Sequence, residues 1–435
     1  MNPNFNSQNL SRFLLFIFCV LLASCGGGGG GGGGSSSSGN NNGTGGGTGG
    51  GTGGGNTTRT GANVVAVSVD GSIFNVADEP FVTLTICSTN SATNCMTIDH
   101  ILVDTGSVGL RIFAQPSTTE SLSTLNLAPA TISGNPIGEC LQFVQGNTWG
   151  PVVLANLTIG GKSASDVALQ IINDSSFAPA PAACTSSGSL MNTPADFGAK
   201  GVLGIGMYLQ DCGNLCVQAS NVENIYFSCV SGVCTNVGMP LVSQVLNPVS
   251  TFSTDNNGVI LSFNSISAPG LRTANGTLTF GIDTQTNNAS QNPNTIQVDS
   301  FGNFKTVFDG QSYSASYIDS GSNGLFFNAP ANSIPLCSGN SAGFYCPTSN
   351  LSLTAQIFVQ PNSATSVAVA FNIGNANTLF NSGNFSFNNL GGTATDVAGQ
   401  GKTFDWGLPF FFGRDVYVAI EGRPTQKGTG PYFGF

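Results

Sequence analysis

Apolar and polar residues alternate with a period of two along several stretches of the chain. The first three stretches are residues 64–69, 81–86 and 97–103. A β-strand turns successive side chains to opposite faces, so this alternation predicts strands, and the Gly, Asn and Ser residues between them predict turns. The best helical pattern is short, at residues 241–246, and is closed by Pro248. The sequence therefore predicts a mostly β protein.

The N-terminal segment has the pattern of an export signal. Arg12 precedes an apolar run at residues 13–22, which is too short for a comfortable membrane span. The run ends in Leu-Ala-Ser-Cys, which resembles a bacterial lipobox, where cleavage precedes the Cys and the Cys25 sulfur carries a diacylglycerol. An ordinary signal peptide with a chance Cys is the alternative. We expect residues 1–25 to be a lipoprotein signal peptide.

The residue after Cys25 is Gly26 rather than Asp, which resembles lipoproteins sorted to the outer membrane. We therefore expect an exported chain that is anchored to the cell envelope, and to the outer membrane in particular, by the lipid on Cys25. Residues 26–61 are rich in Gly, Ser, Thr and Asn, with Arg59 as their only charge. Such a segment buries little surface, so it predicts a flexible tether with a reach of roughly 30–35 Å. The folded body is expected to start near Ala62.

The composition changes this picture in two ways. Only 7% of the residues are charged while 40% are hydrophobic, and 60 are Gly, which favours a β-rich extracytoplasmic protein. The net charge of −10 argues against a nucleic-acid partner because no basic patch is available to neutralise phosphates. His100 is the single histidine, which argues against a multi-histidine metal site.

Ten of the twelve cysteines lie beyond the N-terminal segment, mostly in couples of short separation. An even number in an exported chain predicts five disulfides, although spacing alone leaves the connectivity open. A zinc site built from the four cysteines between residues 212 and 234 is the alternative, with spacings that fit zinc poorly. The disulfide candidates are Cys87, Cys95, Cys140, Cys184, Cys212, Cys216, Cys229, Cys234, Cys337 and Cys346.

One motif occurs twice, about 215 residues apart. Asp-Thr-Gly-Ser at 104–107 and Asp-Ser-Gly-Ser at 319–322 each follow apolar strand residues. Each motif is followed by one variable residue and then by Gly-Leu. Either motif alone is most often a turn closed by an Asx hydrogen bond. Two copies in the same context predict two similar lobes that bring two carboxylates together.

The order of these segments resembles the pepsin-like aspartic peptidases from about residue 64 to the C-terminus. Residues 143–161 resemble the flap hairpin, and 201–206 and 406–412 resemble the strands that cross behind the two motifs. The chain is more similar still to a bacterial family of cysteine-bearing lipoproteins without an assigned function, through residues 319–324 and 405–411. The resemblance implies an all-β, bilobal double β-barrel, with an N-terminal lobe at 62–245, a linker and C-terminal lobe at 246–435, and a cleft between the lobes.

The resemblance also implies roles for the motif residues. Asp104 and Asp319 would form the catalytic pair that activates water. Two carboxyls about 3 Å apart titrate as one coupled pair and keep one proton between them. The supporting residues would close the glycine turns, tie the two loops together and hydrogen-bond the outer carboxylate oxygens; they are Thr105, Gly106, Ser107, Ser320, Gly321 and Ser322.

Two positions depart from the family pattern. Phe143 stands where the flap usually carries a Tyr, and Arg111 stands where that Tyr's partner Trp is expected. Trp149, expected in the flap tip, is a candidate to replace part of either role. These departures keep two functions open: an aspartic endopeptidase, or a silent pepsin-fold lipoprotein that binds a peptide or glycan. A purely structural adhesin has no supporting repeat.

We expect a polypeptide substrate or ligand in the cleft, membrane contact only through the lipid on Cys25, and a monomer. The carboxyl chemistry that the resemblance implies needs no cofactor and no metal.

Overall fold

The computed structural model describes residues 59–218, 224–291, 293–361, 363–394 and 401–435. The predicted signal peptide, Cys25 and the predicted tether up to residue 58 lie outside the described residues. Within these ranges, no helix combines the length and the apolar character that a membrane crossing requires.

Strands dominate both halves of the described chain, as the alternating pattern predicts. Those of the first half are β1 (Val64–Val69), β2 (Phe81–Ser88), β3 (Cys95–Asp104), β4 (Val108–Phe113), β5 (Ala128–Pro129), β6 (Thr131–Ile132), β7 (Asn135–Gln142), β8 (Asn147–Ile159), β9 (Lys162–Ile172), β10 (Gly201–Ile205), β11 (Tyr226–Val230) and β12 (Val233–Asn236). Those of the second half are β13 (Gly258–Phe263), β14 (Ala274–Phe280), β15 (Thr295–Gln297), β16 (Phe304–Phe308), β17 (Gln311–Ile318), β18 (Leu325–Phe327), β19 (Leu351–Phe358), β20 (Ser366–Ile373), β21 (Gly391–Gly392), β22 (Thr403–Trp406), β23 (Asp415–Ala419), β24 (Pro424–Thr425), β25 (Gly428–Thr429) and β26 (Tyr432–Gly434).

The helices that the structure describes are short. The α-helices are α1 (Ala182–Thr185), α2 (Pro194–Phe197) and α3 (Ala376–Phe380). The 3-10 helices are Leu122–Leu125, Gly213–Cys216, Leu241–Ser243, Pro248–Thr251, Thr286–Asn288, Pro330–Asn332, Gly339–Ser341 and Leu408–Phe410.

Six strands of the first half close into a barrel. Their hydrogen-bonded order is β3, β10, β4, β9, β8, β2 and back to β3. The barrel interior is filled by apolar side chains such as Leu84, Ile101 and Leu203, each at most 1% exposed. A closed ring leaves no free strand edge, so this lobe is a rigid support for the loop that follows β3.

The second half forms a half-barrel in the order β20, β19, β16, β17, β22, β18 and β21. Its central strands repeat the plan of the first lobe. β10 lies parallel to β3 and antiparallel to β4, and β22 lies parallel to β17 and antiparallel to β18. The two lobes therefore present equivalent loops, one after β3 and one after β17.

A third, antiparallel sheet joins the two lobes. Its order is β1, β14, β13, β23, β26 and β15. β1 precedes the first lobe in sequence, yet it pairs along its whole length with β14 of the second half, from Val64 opposite Thr279 to Val69 opposite Ala274. The predicted bilobal, all-β, pepsin-like fold is confirmed, with one closed barrel and one half-barrel.

Three local predictions are corrected. The helix expected at residues 241–246 is a 3-10 turn of three residues, Leu241–Ser243, and Gln244 is already extended. A segment this short between Pro240 and Pro248 cannot complete and propagate an α-helix. The strand expected at 406–412 ends at Trp406: Phe410 closes a 3-10 turn, Leu408–Phe410, and Phe412 forms only an isolated bridge with Phe263, although all three phenylalanines at 410–412 are buried.

The third correction concerns the start of the folded body. The predicted tether includes Arg59, but the side chain of this residue is 6% exposed and pairs with Asp415 of β23 at 2.7 Å. It also donates to the backbone carbonyl of Asn287 at 2.5 Å. The one charged residue of the Gly-rich stretch thus attaches that stretch to the sheet between the lobes, three residues before the expected start at Ala62.

Candidate active site

Asp104 and Asp319 occupy equivalent places in the two lobes. Asp104 is the last residue of β3, and Asp319 directly follows Ile318, the last residue of β17. The two residues are 1% and 2% exposed, respectively. The structure thus brings the two predicted catalytic carboxyls to the ends of the central strands, inside the protein.

The two loops face each other through their glycines. A Cβ atom at Gly106 would lie 2.6 Å from the Cγ of Asp319, and a Cβ atom at Gly321 would lie 2.8 Å from the Cγ of Asp104. Either contact is shorter than two carbon atoms tolerate. Glycine is therefore required at both positions so that each backbone can approach the carboxyl of the opposite lobe.

Thr105 and Ser320 join the loops by four hydrogen bonds. Thr105 Oγ1 donates to the carbonyl of Ile318 at 3.1 Å, and Ser320 Oγ donates to the carbonyl of Val103 at 2.7 Å. In return, the N–H of Thr105 donates to Ser320 Oγ at 3.1 Å and the N–H of Ser320 donates to Thr105 Oγ1 at 2.9 Å. All four groups are buried, so the connection between the lobes is rigid at this point.

Each carboxyl is also oriented by its own loop. The N–H of Gly106 donates to Asp104 Oδ1 at 2.7 Å, and Ser107 donates to Asp104 Oδ2. The second loop repeats the pattern with the N–H of Gly321 at 2.8 Å and Ser322 Oγ at 2.9 Å, both to Asp319. These donors leave neither carboxyl free to rotate.

The two carboxyls form one electrostatic unit. A Cβ atom at Gly321 would lie 2.8 Å from Asp104 Oδ1 and 3.2 Å from Asp319 Oδ1, so both carboxyls face the same point. Burial, followed by the charge of Asp104 and that of Asp405, raises the pKa of Asp319 well above its ordinary value. Two carboxyls this close do not both ionise, and one of them keeps a proton. Asp319 therefore keeps its proton at a pH where an ordinary aspartate has lost it.

Sequence reasoning missed a third carboxyl, that of Asp405. This residue lies in β22 beside Tyr317, is 2% exposed, and lies near the side chain of Ser322. Burial is the largest cause that raises its pKa, and the charge of Asp104 adds to the effect. Its Asp-Trp-Gly context was visible in the sequence, but nothing in one sequence shows that the side chain points toward Asp319.

The flap hairpin consists of β7 and β8, with its turn at residues 143–146. Phe143 begins this turn, is 5% exposed, and packs edge-on against Phe197 of α2 with ring centroids 5.3 Å apart. Its ring belongs to an apolar cluster that also contains Phe113 and Met191. Phe143 therefore fastens the hairpin turn to the first lobe.

Trp149 lies in β8, opposite Cys140 of β7, and not in the turn where it was expected. Its indole N–H donates to the carbonyl of Ala178 at 2.8 Å, and its ring packs against Phe227 at 5.4 Å. Trp149 and Phe143 thus belong to different apolar clusters. Packing and its own hydrogen bond account for Trp149, so it does not replace a flap hydroxyl.

Arg111 ties the hairpin to the body of the lobe. Its side chain is fully buried, and its Nη2 pairs with Glu139 of β7 at 2.6 Å and with Asp211 at 3.0 Å. Tyr226 of β11 donates to Asp211 at 2.6 Å. Burial, together with the neighbouring charge of Glu139, raises the pKa of Asp211. The residue that departs from the family pattern therefore has a structural role beneath the hairpin.

The ten cysteines form five disulfides, as predicted. Four of them join cysteines four to nine residues apart, and the fifth, Cys140–Cys184, connects β7 to α1. The zinc alternative is wrong, because Cys212 is bonded to Cys216 and Cys229 to Cys234. The complete pairing is Cys87–Cys95, Cys140–Cys184, Cys212–Cys216, Cys229–Cys234 and Cys337–Cys346.

Two β lobes that meet at equivalent Asp-hydroxyl-Gly-Ser loops define a pepsin-like bilobal protein. Residues 59–435 match the family described as "Protein of unknown function (DUF3443)", and the chain belongs to this family. Among solved structures it is similar to the aspartic proteinase from Irpex lacteus, with 15% identity and a TM-score of 0.47, over 85% of this chain and 96% of that chain. No curated protein matches the chain.

Proposed function

We propose that this protein is an aspartic endopeptidase that hydrolyses peptide bonds with water activated by Asp104 and Asp319. The observation that carries the proposal is that the two carboxyls face the same point beside Gly321, each held by the N–H of its own loop glycine. Structural ion networks also perturb pKa values, but two mirrored loops aimed at one point are typical of a catalytic pair. Both carboxyls come from one chain, which supports a working monomer.

The proposed reaction uses each carboxyl in one protonation state. Ionised Asp104 takes a proton from water while the resulting hydroxide oxygen bonds to the scissile carbonyl carbon. Protonated Asp319 gives its proton to the carbonyl oxygen, which yields a tetrahedral diol. When the C–N bond breaks, a proton passes to the leaving nitrogen and the carbonyl re-forms. The products are a carboxyl group and an amine, and the pair again holds one proton.

The test is a screen of a peptide mixture, with mass spectrometry of the products, from about pH 3 to pH 7, the range in which coupled carboxyls titrate. Native protein and the variants Asp104→Asn and Asp319→Asn are compared, each with and without pepstatin. We expect cleavage only by the native protein, with an acid optimum. Cleavage that survives either substitution would sink the proposal.

A second function, binding of a peptide or glycan without cleavage, is favoured by the hairpin. Phe143 lacks the hydroxyl of the usual flap Tyr, and its ring is buried in the lobe. Cys140–Cys184 and the pair of Arg111 with Glu139 hold the hairpin strands. A flap that cannot close over a substrate would leave the cleft as a binding surface. Turnover of any peptide in the screen rules this function out.

We also propose that the protein is a lipoprotein of the cell envelope, anchored through Cys25, with the outer membrane as its destination. The sequence pattern at 22–26 supports this, and five disulfides support a compartment that is oxidising. In cells fed a labelled fatty acid, we expect label on the native protein and none on Cys25→Ser. Equal release of both proteins from membranes without detergent would contradict the anchor.

A further inference from the structure

Asp405 breaks the symmetry between the two lobes. It pairs in register with Tyr317 of β17, two residues before Asp319. The equivalent place in the first lobe is held by Val202, which pairs with Leu102 two residues before Asp104. Only the second lobe therefore places a third carboxyl at this point, and one of its oxygens, Oδ1, is buried without a hydrogen-bond partner.

Ser322 connects Asp405 to the catalytic pair. Its Oγ donates to Asp319 Oδ2 at 2.9 Å, and its side chain lies close enough to the Asp405 carboxyl to act on the pKa of that group. A hydroxyl has one proton, so it can donate to only one of the two carboxyls at a time. The other carboxyl can then bond to the hydroxyl only by donating to its oxygen, which requires that it hold a proton itself.

The groups that face Asp405 make its ionisation unfavourable. Tyr317 lies beside it on β17, the carboxyls of Asp319 and Asp104 lie at the ends of the central strands, and Phe326 lies opposite it on β18. Burial raises the pKa of Asp405 and of Asp319, and burial also raises the pKa of the Tyr317 phenol, which stays neutral. A buried carboxyl among two other carboxyls is expected to hold a proton.

We propose that Asp405 is a positioning residue that shares a proton with Asp319 through the Ser322 hydroxyl, so that the site is a cluster of three carboxyls. In one arrangement Asp405 donates to Ser322 Oγ, and Ser322 donates to Asp319. In the other, Asp319 donates to Ser322 Oγ, and Ser322 donates to Asp405. Interconversion breaks the O–H bond of Asp405, forms an O–H bond on Asp319 and exchanges the proton of Ser322 Oγ, so the number of protons in the cluster is unchanged.

The consequence for catalysis, which rests on the proposed function, is a wider pH range. Because Asp405 and Asp319 cannot both be ionised and both accept from Ser322, Asp319 keeps its proton to a higher pH. Without Asp405, Ser322 is free to donate to ionised Asp319, as Ser107 donates to Asp104. The falling, alkaline side of the activity profile then moves to lower pH, while its acid side is unchanged.

Three variants separate this role from a structural one. Asp405→Asn keeps the shape without the charge, and Asp405→Val copies the residue type at Val202. The control is Thr306→Val, which removes a buried hydrogen bond from the neighbouring Trp406 Nε1 at 3.2 Å. For each full-length protein, NMR of isotope-labelled aspartate carboxyl carbons follows the loss of the Asp319 proton as pH rises, and peptide cleavage gives the pH profile of kcat/KM.

We expect Asp319 to lose its proton at lower pH in both Asp405 variants than in the native protein or in Thr306→Val. The alkaline side of the kcat/KM profile is expected to move down by roughly one pH unit in the same two variants. Loss of the Asp319 proton at the same pH in native protein and Asp405→Asn would overturn the proposal, as would an unmoved profile. If no protein cleaves peptides but the loss of the Asp319 proton shifts as expected, the proposed function fails and the proton sharing stands.

Discussion

Thr105 and Ser320 are each donor and acceptor to the opposite loop, so one hydroxyl from each lobe satisfies two backbone groups of the other. This exchange holds the two carboxyls at a fixed separation. The raised pKa of Asp319 depends on that separation, since the charge of Asp104 acts on it and neither side chain can rotate away from its own loop donors.

Thr105→Val is expected to destabilise the protein by about 2–3 kcal/mol. The substitution keeps the volume of the side chain but leaves the buried N–H of Ser320 and carbonyl of Ile318 without partners. Thr105→Ser keeps the oxygen and is the matched control. Denaturant unfolding measures both, and equal stability of the Val and Ser variants would contradict the assigned hydrogen bonds.

Arg111→Met is expected to destabilise the first lobe by roughly 3–5 kcal/mol, because it leaves two buried carboxyls, Glu139 and Asp211, without their guanidinium. The variant that adds Glu139→Gln and Asp211→Asn removes those charges and should recover most of the loss. Thermal unfolding compares the two variants. A triple variant as unstable as the single one would mean that packing, and not charge, explains Arg111.

The hairpin of β7 and β8 is expected to be as protected from hydrogen exchange as the barrel, because Cys140–Cys184, Arg111 and the ring of Phe143 hold it. Replacing both Cys140 and Cys184 by Ser should raise exchange in the hairpin and lower stability by about 2–5 kcal/mol. Loss of Cys337–Cys346 in the second lobe is the control. Fast exchange in the native hairpin would show that it is a mobile flap.

Asp78→Asn is expected to stabilise the protein at neutral pH and to have little effect below about pH 4, near the ordinary pKa of Asp. Asp78 is fully buried, burial raises its pKa, and its Oδ1 accepts the N–H of Phe387 at 2.7 Å while Oδ2 has no partner. The folded carboxyl binds its proton more tightly than the unfolded one, so rising pH favours unfolding until the folded group ionises. Unfolding midpoints across pH measure this, and an equal shift at every pH would contradict it.

Local signals made much of the fold predictable. The alternation of apolar and polar side chains that predicts a strand depends only on neighbouring residues. Likewise, four disulfides join cysteines within nine residues of each other. The doubled motif was predictive because glycine is required where Gly106 and Gly321 approach the opposite carboxyl. The helix expected at 241–246 is absent because the segment between Pro240 and Pro248 is too short to propagate an α-helix, whatever its apolar pattern.

The roles of Arg111 and Asp405 could not be predicted because they depend on residues distant in sequence. The sequence shows only that Arg111 replaces the Trp expected at its position. Its partners Glu139 and Asp211 lie 28 and 100 residues away along the chain. Asp405 comes near Asp319 only because β22 crosses beside β17. Side-chain direction across a sheet follows from strand register, which one sequence does not contain.

The most direct measurement of the central claim is kcat/KM for one cleaved peptide with native protein and with Asp319→Asn, which keeps the shape of the side chain. If Asp319 supplies the proton and Asp104 the base, the variant loses roughly a hundred- to ten-thousand-fold in kcat/KM at the acid optimum while its thermal stability is at least retained. Cleavage by Asp319→Asn within a few-fold of the native rate would show that the carboxyl pair is not the catalyst.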